Sequence, residues 1–157
     1  LESMLYGLLL PSGNDAAIAL AQHIAGDVTQ FVTRMNRQAA QLGMGCTHYT
    51  SPSGFYDQGN YSCAADLAVL AHVDLAEPRI ARVTHTYSAV IPFPIKGGKL
   101  YLYNNNPLLR SGFPGITGMK TGERAIHLSG VDWRNGRSGC WGALSAITWR
   151  LPGVVSD

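Results

Sequence analysis

The stretch LYGLLLPSGNDAA, residues 5–17, contains the end of one predicted helix and the beginning of the next. The apolar side chains before Pro11 recur at helical spacing, and the proline ends this first helix. Asn14 or Asp15 can cap the second helix, because short polar side chains accept hydrogen bonds from the N–H groups of a first turn. The triplet Ser12-Gly13-Asn14 is therefore predicted to form a short loop between two helices.

Three further helices are predicted in the first half of the chain and just beyond it. Asp27 caps a third helix that Gly43 closes, and Ser62 caps a fourth. Glu77-Pro78 opens a short fifth helix, since proline suits the first helical turn. The residues between the third and fourth helices, 46–61, have the Ser, Pro and Gly content of a loop.

After the fifth helix the apolar pattern changes from helical to alternating. Residues 87–95 and 99–103 are predicted to be strands joined by a Gly97-Gly98 turn, and further strands are predicted over 115–121 and 139–148. Helices that precede strands without alternating with them predict an α+β fold, in which a helical cluster packs on an antiparallel sheet.

The composition indicates a globular protein with few surface charges. Hydrophobic residues make up 46% of the 157 residues and charged residues 14%. The net charge of +2 is too small, and the basic residues too scattered, to predict a nucleic acid or an anionic membrane as a partner. No run approaches the roughly 18 apolar residues of a membrane span, and no signal peptide is visible.

Metal and thiol chemistry are not predicted. Cys46, Cys63 and Cys140 include no Cys-x-x-Cys pair, and three cysteines cannot all pair within one chain. Each is interpreted as a small buried residue. The five histidines show no ligand spacing such as His-x-x-x-His, so no metal site is expected.

Two polar triplets carry the predicted chemistry: Ser12-Gly13-Asn14 and Lys120-Thr121-Gly122. Acyl transfer from a peptide needs a nucleophile, a proton carrier, and donors for the substrate carboxylate and the oxyanion. A Ser12 hydroxyl near a lysine can relay a proton, and the Asn14 amide can donate to and accept from a substrate peptide group. Lys120 supplies positive charge and the Thr121 hydroxyl can bind a carboxylate, while Gly122 leaves room for a substrate backbone.

Neither of the two motifs contains the nucleophile that acyl transfer requires. In penicillin-binding proteins and serine β-lactamases the two triplets accompany a Ser-x-x-Lys motif that carries the nucleophile. The lysines of this chain are Lys96, Lys99 and Lys120, and none has a serine three positions before it. We therefore expect the chain to be a piece of such an enzyme, truncated at its N-terminus, with the nucleophile and any export signal in preceding residues.

The sequence around the triplets resembles the D-alanyl-D-alanine carboxypeptidases, the low-molecular-mass penicillin-binding proteins of peptidase family S11. The similarity covers roughly residues 1–122, which we interpret as a partial catalytic domain. It is carried by residues 5–17, Phe31-Val32-x-x-Met35-Asn36, Leu42-Gly43-Met44, Thr47-His48, Ser51-Pro52-Ser53-Gly54, Tyr61-Ser62 and Gly115-Ile116-x-Gly118-Met119-Lys120-Thr121-Gly122.

This resemblance implies the penicilloyl-serine transferase fold, which is also the β-lactamase and transpeptidase fold. It implies a serine-type enzyme that removes the terminal D-alanine from peptidoglycan stem peptides through an acyl-serine intermediate, outside the cytoplasm. β-Lactams would inhibit the complete enzyme, and neither a metal nor an organic cofactor is implied. The implied catalytic residues are Ser12, Asn14 and Lys120, and the implied substrate-binding residues are Thr121, Gly122 and Glu123.

The sequence departs from the family after Gly122. The family usually continues with an aromatic residue or His and then Thr, whereas this chain has Glu123-Arg124 and a tail rich in Gly, Arg and Trp. By the resemblance, the backbone N–H of residue 123 is an oxyanion donor, and a carboxylate about 4 Å away repels an oxyanion by about 4 kcal/mol at an intermediate dielectric. We interpret residues 123–157 as a divergent tail or a changed reading frame, and expect them to pack poorly and to be proteolysed first.

Alternative interpretations stay open. A serine β-lactamase is disfavoured by Gly13, where an Asp would be expected, and by the lack of a deacylating glutamate, since Glu77 is interpreted as a helix-opening residue. A catalytically inactive relative would bind peptidoglycan or penicillin without turnover. The segment Asn104–Asn106, with Tyr101 and Tyr103 before it, is interpreted either as the lining of a peptide groove or as a structural turn.

Overall fold

Helices come first and an antiparallel hairpin follows, as the α+β prediction requires. A computed structural model describes residues 1–54, 59–93, 95 and 97–121. The elements are α1 (Glu2–Leu9), α2 (Asn14–Ala25), α3 (Val28–Gln41), α4 (Ala64–Leu75), α5 (Pro78–His85), β1 (Ser88–Phe93), β2 (Gly98–Tyr103) and α6 (Pro107–Arg110). The predicted strand over 139–148 and the tail over 123–157 lie outside the described residues.

Local sequence signals place most helix ends correctly. Asp27 caps α3, because its carboxylate accepts a hydrogen bond from the Gln30 backbone N–H at 2.7 Å. This bond, with a second from the Gln30 side chain, holds the pKa of Asp27 below its ordinary value. Glu77 accepts from the Arg79 N–H and opens α5 just before Pro78, as predicted.

The predicted cap of α4 is wrong by one residue. Cys63, not Ser62, occupies the N-cap position of α4, and no side chain caps the helix there. Ser62 is buried, and its hydroxyl lies 2.8 Å from the hydroxyl of Thr47. The Ser62 hydroxyl therefore binds Thr47, which is distant in sequence, instead of capping α4.

The hairpin has one packed face and one exposed face. β1 and β2 pair antiparallel, with Ala89 opposite Leu102 and Val90 opposite Tyr101. Ala89 and Leu102 pack on the helices, whereas the Val90 and Tyr101 side chains stay 55% and 61% exposed. Side chains alternate between the two faces because successive residues of a strand point in opposite directions.

No strand forms over 115–121, so that prediction is wrong. The backbone φ angles of Gly115, Gly118 and Met119 are +83°, +109° and +83°. Positive φ angles lie outside the extended region, so the segment cannot keep the regular conformation that a β-ladder needs.

Two hydrophobic clusters hold the elements together. The first joins α2, α3, α4 and the loop after α3, and its buried members are Ala21, Ala25, Phe31, Met35, Ala39, Met44, Tyr49 and Leu70. The second joins α1, α2, α5 and the hairpin, and its buried members are Leu8, Leu9, Leu10, Ala17, Leu20, Val83 and Leu102. No helix in the described ranges combines the length and the apolar character that crossing a membrane would require.

A disulfide joins Cys46 to Cys63, which corrects the interpretation of these cysteines as simple buried residues. Their Cα atoms are 5.9 Å apart, within the range that disulfides adopt. The bridge fastens the loop after α3 to the beginning of α4. Cys140 lies outside the described residues.

Helix α4 buries two carboxylates on its inner face. Asp66 is satisfied, because it accepts hydrogen bonds from the Cys46 N–H at 2.9 Å and the Thr47 hydroxyl at 2.6 Å. Asp74 is fully buried, and neither of its carboxyl oxygens has a hydrogen-bond partner in the described part of the chain. Burial raises its pKa from 3.8 to about 8.

Candidate active site

The Ser12-Gly13-Asn14 triplet lies at the predicted junction of two helices, α1 and α2, but the prediction that Asn14 or Asp15 caps α2 is wrong. Gly13 occupies the N-cap position of α2, and Asn14 is the first residue of the helix. The Gly13 N–H donates to the carbonyl of Gly7 at 3.0 Å, so the loop folds back onto α1. A β-carbon at position 13 would lie 2.9 Å from the Gly7 carbonyl oxygen and 2.9 Å from a carboxyl oxygen of Asp15. The turn therefore leaves no room for a side chain at position 13.

Both motifs contain or adjoin a residue in the left-handed backbone conformation. Within the described ranges, the non-glycine residues with positive φ are Ser12, at +66°, and Met119, at +83°. Met119 comes directly before Lys120. Such conformations cost roughly 1–3 kcal/mol each for ordinary residues and cluster at functional sites.

Lys120 is held inside the protein rather than on its surface. Its residue is 5% exposed, and its Nζ atom donates to the carbonyl of Thr121 at 2.5 Å. Met119, the preceding residue, packs against the first hydrophobic cluster. The Lys120 ammonium group therefore has a defined position, which a flexible surface lysine would lack.

The backbone just before Lys120 lies against the end of α5. The imidazole Nδ1 of His85 is 3.1 Å from the carbonyl oxygen of Thr117. At Gly118 an added β-carbon would overlap the carbonyl group of Thr84. Glycine is therefore required at position 118 for the two backbones to approach each other.

Three consecutive asparagines connect the segments that carry the two motifs. The side-chain amide of Asn104 donates to Thr84 and Thr86 carbonyls, both at 3.0 Å. Asn105 donates from its side chain to the Pro11 carbonyl at 3.3 Å, and Asn106 donates to the Gly118 carbonyl at 3.2 Å. Residues 104–106 had been interpreted either as the lining of a peptide groove or as a structural turn, and these hydrogen bonds are those of a structural turn.

The predicted site residues fall into two groups. Ser12 and Asn14 lie at the start of α2, and Lys120 and Thr121 lie on the segment that Met119 anchors to the core. Gly122 and Glu123 lie outside the described residues. The asparagine turn, Asn104–Asn106, links the two groups through its bonds to Pro11 and Gly118. This role was not predicted, although a run of amides directly after a strand was a visible signal in the sequence.

One cluster of potential metal ligands occurs in the described residues. Cys46, Cys63 and Asp66 bring their ligand atoms within 4.8 Å of one another. The two sulfur atoms are joined in the disulfide, and a disulfide sulfur is not the thiolate that a metal needs. With the bridge formed, only the Asp66 carboxylate is left as a ligand, and it already accepts two hydrogen bonds.

Comparison with known proteins finds one family throughout. The sequence profile of the D-alanyl-D-alanine carboxypeptidase family, peptidase family S11, matches residues 1–126. The chain is 37% identical over 121 residues to D-alanyl-D-alanine carboxypeptidase DacF of Bacillus subtilis, covering 77% of this chain and 31% of that protein. It is 44% identical over 124 residues to D-alanyl-D-alanine carboxypeptidase DacB2 of Mycobacterium tuberculosis, covering 77% of this chain and 41% of that protein.

Solved structures agree with these sequence matches. A D-alanyl-D-alanine carboxypeptidase from Mycobacterium tuberculosis superimposes with a TM-score of 0.71 at 38% identity, covering 79% of this chain and 47% of that one. The Streptomyces K15 DD-transpeptidase superimposes with a TM-score of 0.72 at 33% identity, covering 79% of this chain and 51% of that one. The chain thus spans less than half the length of the two curated relatives and about half of each solved structure. The penicilloyl-serine transferase fold predicted from the sequence is confirmed.

Proposed function

The chain belongs to the D-alanyl-D-alanine carboxypeptidase family, and we propose that it forms the substrate-binding side of a serine-type carboxypeptidase active site. The substrate is a peptidoglycan stem peptide that ends in D-Ala-D-Ala. A Ser-x-x-Lys motif, which the 157 residues do not contain, supplies the nucleophile. The complete active site then cleaves the terminal peptide bond through an acyl-serine intermediate and uses no metal or organic cofactor.

The observation that carries this proposal is the pair of strained residues at the motifs. Ser12 and Met119 adopt positive φ angles, and they lie in the two triplet regions that the sequence assigned to one active site. A fold tolerates such conformations where the surrounding structure over-determines them, which is common at sites that need a fixed geometry. Chance alone would not be expected to place both residues in these two short segments.

Each motif residue has a role that its chemistry supports. The Ser12 hydroxyl relays a proton to the departing D-alanine amine, and the Asn14 amide binds the substrate peptide group. Lys120 provides a fixed positive charge, and the Thr121 hydroxyl binds the terminal carboxylate. Gly122 leaves room for the substrate backbone, and the backbone N–H of Glu123 donates to the oxyanion.

The Cys46–Cys63 disulfide supports a location outside the cytoplasm. Disulfides persist in oxidising compartments such as the periplasm and are rare where thiols are kept reduced. Peptidoglycan and β-lactams, the proposed substrate and inhibitors, are encountered in the same compartment, in the periplasm or on the outer face of the cytoplasmic membrane.

The proposal is tested by supplying the missing motif. The chain is fused behind the Ser-x-x-Lys segment of a family member, and D-alanine release is measured with peptides ending in D-Ala-D-Ala and in L-Ala-L-Ala. We expect release from the first peptide alone, together with covalent labelling by a fluorescent penicillin. The Lys120→Ala variant of the fusion is the matched control and should lose at least about 100-fold in rate, as removal of a charged or oxyanion-stabilising donor does elsewhere.

Other outcomes would identify the alternatives. A fusion that binds penicillin without releasing D-alanine would support an inactive binding relative. A fusion that hydrolyses penicillin faster than the peptide would support a β-lactamase. The crowding at Gly13 argues against the latter, because the turn has no room for the aspartate of the β-lactamase triplet.

A further inference from the structure

We propose that Asn105 and Asn106 are positioning residues that set the distance between the Ser12 loop (residues 10–13) and the Lys120 segment (residues 114–121). This inference rests on the proposed function, because it concerns the same active site. Neither residue is assigned to touch the substrate. Each acts through the backbone of the motif to which it is hydrogen-bonded.

Asn105 holds the Ser12 loop through two adjacent carbonyl groups. Its backbone N–H donates to Leu10 at 3.2 Å, and its side-chain amide donates to Pro11 at 3.3 Å. Pro11 directly precedes Ser12, so the second bond acts on the peptide unit that leads into the strained residue. The side chain of Asn105 is exposed, so this contact contributes little to burial and its main effect is geometric.

Asn106 holds the other motif and ends the turn at the same time. Its side-chain amide donates to the Gly118 carbonyl at 3.2 Å, two residues before Lys120. Its side-chain oxygen accepts from the N–H groups of Leu108 and Leu109, at 3.0 and 3.2 Å, and thereby caps α6. The two ends of one amide therefore connect a helix start to the Lys120 segment.

Asn104 fixes the turn to the body of the protein. It is 2% exposed, and its side-chain oxygen accepts from the Asn106 N–H at 2.9 Å while its amide donates to the end of α5. With this anchor in place, Asn105 and Asn106 reach in different directions from a rigid turn. The two motif segments also have other anchors: α1 packs in the second cluster, Met119 packs against the first, and α2 contributes to both.

The geometry matters because catalytic groups tolerate little displacement. A shift of about 1 Å from the productive arrangement can lower a rate about 100-fold even when the altered residue is far from the chemistry. Two hydrogen bonds from adjacent residues of one turn keep the two carbonyl groups, and with them Ser12 and Lys120, at a constant separation.

Two substitutions remove these bonds with little other damage. Asn105→Ala deletes the side-chain donor to Pro11 and keeps the backbone bond to Leu10. Asn106→Ser deletes the donor to Gly118 and keeps an oxygen that can cap α6, since serine is a good N-cap residue. Asn36→Ala is the matched control, because Asn36 also uses both ends of its amide, on the Tyr49 backbone at 2.7 and 2.8 Å, but within α3 and its loop.

The experiment uses the 157-residue chain and two measurements. Hydrogen exchange followed by mass spectrometry reports the opening of residues 7–17 and 114–121. Binding titrations compare a peptide ending in D-Ala-D-Ala with the same peptide as its C-terminal amide, which gives the preference for a free carboxylate. We expect Asn105→Ala to speed exchange in residues 7–17, and Asn106→Ser in residues 114–121, each by roughly 3- to 10-fold for one lost hydrogen bond. Both variants should lose roughly the same factor in carboxylate preference, whereas Asn36→Ala should change neither quantity.

The two measurements separate this inference from the proposed function. If the unmodified chain shows no carboxylate preference, the proposed site is wrong, and exchange alone decides whether the turn positions the two segments. If the preference exists but both asparagine variants retain it, the positioning role is overturned, whatever the exchange rates. If exchange in the two segments matches that of Asn36→Ala, the positioning role is likewise overturned.

Discussion

The carbonyl group of Thr84 occupies the space into which a β-carbon of Gly118 would project. Asn104 donates to that same Thr84 carbonyl at 3.0 Å, so the end of α5 is held from the hairpin side while residue 118 lies directly against it. Gly118 also has φ of +109°, a conformation that other residues avoid. The backbone that leads to Lys120 is therefore positioned by direct contact with α5.

Replacement of Gly118 by alanine should be strongly destabilising. The new β-carbon meets backbone atoms, which cannot move aside as a side chain can, and φ is unfavourable as well. We expect a loss of about 2–4 kcal/mol in the free energy of unfolding, measured by urea denaturation.

Alanine substitutions at two other glycines measure separately the cost of the positive φ and the cost of the close contact. Gly43 has φ of +72° with open space around it, so Gly43→Ala measures the conformational cost alone, about 1 kcal/mol. Gly45 has open space and no positive φ, and Gly45→Ala should be neutral or slightly stabilising. Equal losses at positions 43 and 118 would contradict the close contact with Thr84.

Asp74 should make the stability of the chain fall as the pH rises. The folded state keeps this carboxyl protonated up to about pH 8, whereas its ordinary pKa is 3.8. Between these values the folded state binds one proton more than the unfolded state, so stability is highest at the acidic end and declines by up to about 1.4 kcal/mol per pH unit. Asp74→Asn cannot ionise and should remove this decline.

The measurement is the free energy of unfolding at several pH values between 4 and 9. The advantage of Asp74→Asn over the unmodified chain should grow from about pH 4 to about pH 8 and then level off. Parallel pH profiles of the two proteins would show that the Asp74 carboxyl is not held protonated by burial.

The part of the fold that sequence predicted best is the part that local chemistry decides. Asp27 caps α3 because its partner, the Gln30 N–H, is three residues away and is always available to an aspartate at that position. Ser62 failed as a cap because Thr47, distant in sequence, binds its hydroxyl in the folded protein. The hairpin was recognised from its alternating residues and glycine turn, which are local signals too.

The candidate site was predictable as two motifs but not as one arrangement. Ser12 and Lys120 were identified from the types and order of neighbouring residues, which is information the sequence contains. The positive φ of Met119 and the contact of Gly118 with α5 depend on how distant segments pack, so the segment was mistaken for a strand. The same is true of the hydrogen bonds of the asparagine turn, whose acceptors lie in distant parts of the chain.

Removal of the Cys46–Cys63 disulfide should destabilise the chain by about 3 kcal/mol. The two cysteines are 17 positions apart, and a cross-link that closes a loop of this length restricts the unfolded state by about that amount. The double variant Cys46→Ser/Cys63→Ser is compared with the unmodified chain by thermal and urea unfolding. A reductant should lower the stability of the unmodified chain and leave the double variant unchanged; sensitivity of the double variant would mean that another thiol is responsible.

A fluorescent penicillin should not form a stable acyl-enzyme with the 157-residue chain. Acylation requires an activated serine, and Ser12 is not followed three positions later by the lysine that the family uses for activation. Denaturing electrophoresis and peptide mapping after incubation would detect any covalent adduct. A labelled serine at any position would show that the nucleophile had been misassigned.

Gly13 and Gly7 provide the last test, because the same substitution should have opposite effects at the two positions. A β-carbon at Gly13 would lie 2.9 Å from the Gly7 carbonyl, so Gly13→Ala should displace the Ser12 loop and cost about 1–3 kcal/mol. At Gly7, inside α1, the nearest atom is the β-carbon of Ala16 in α2 at 3.9 Å, an ordinary van der Waals contact. Gly7→Ala should therefore stabilise the helix by up to about 1 kcal/mol, since alanine favours helices over glycine. The test measures the unfolding free energies of both variants and the exchange rates of residues 7–17. If Gly13→Ala is as stable as Gly7→Ala and its loop is equally protected from exchange, the turn does have room for a side chain. The structural argument against a β-lactamase triplet then fails.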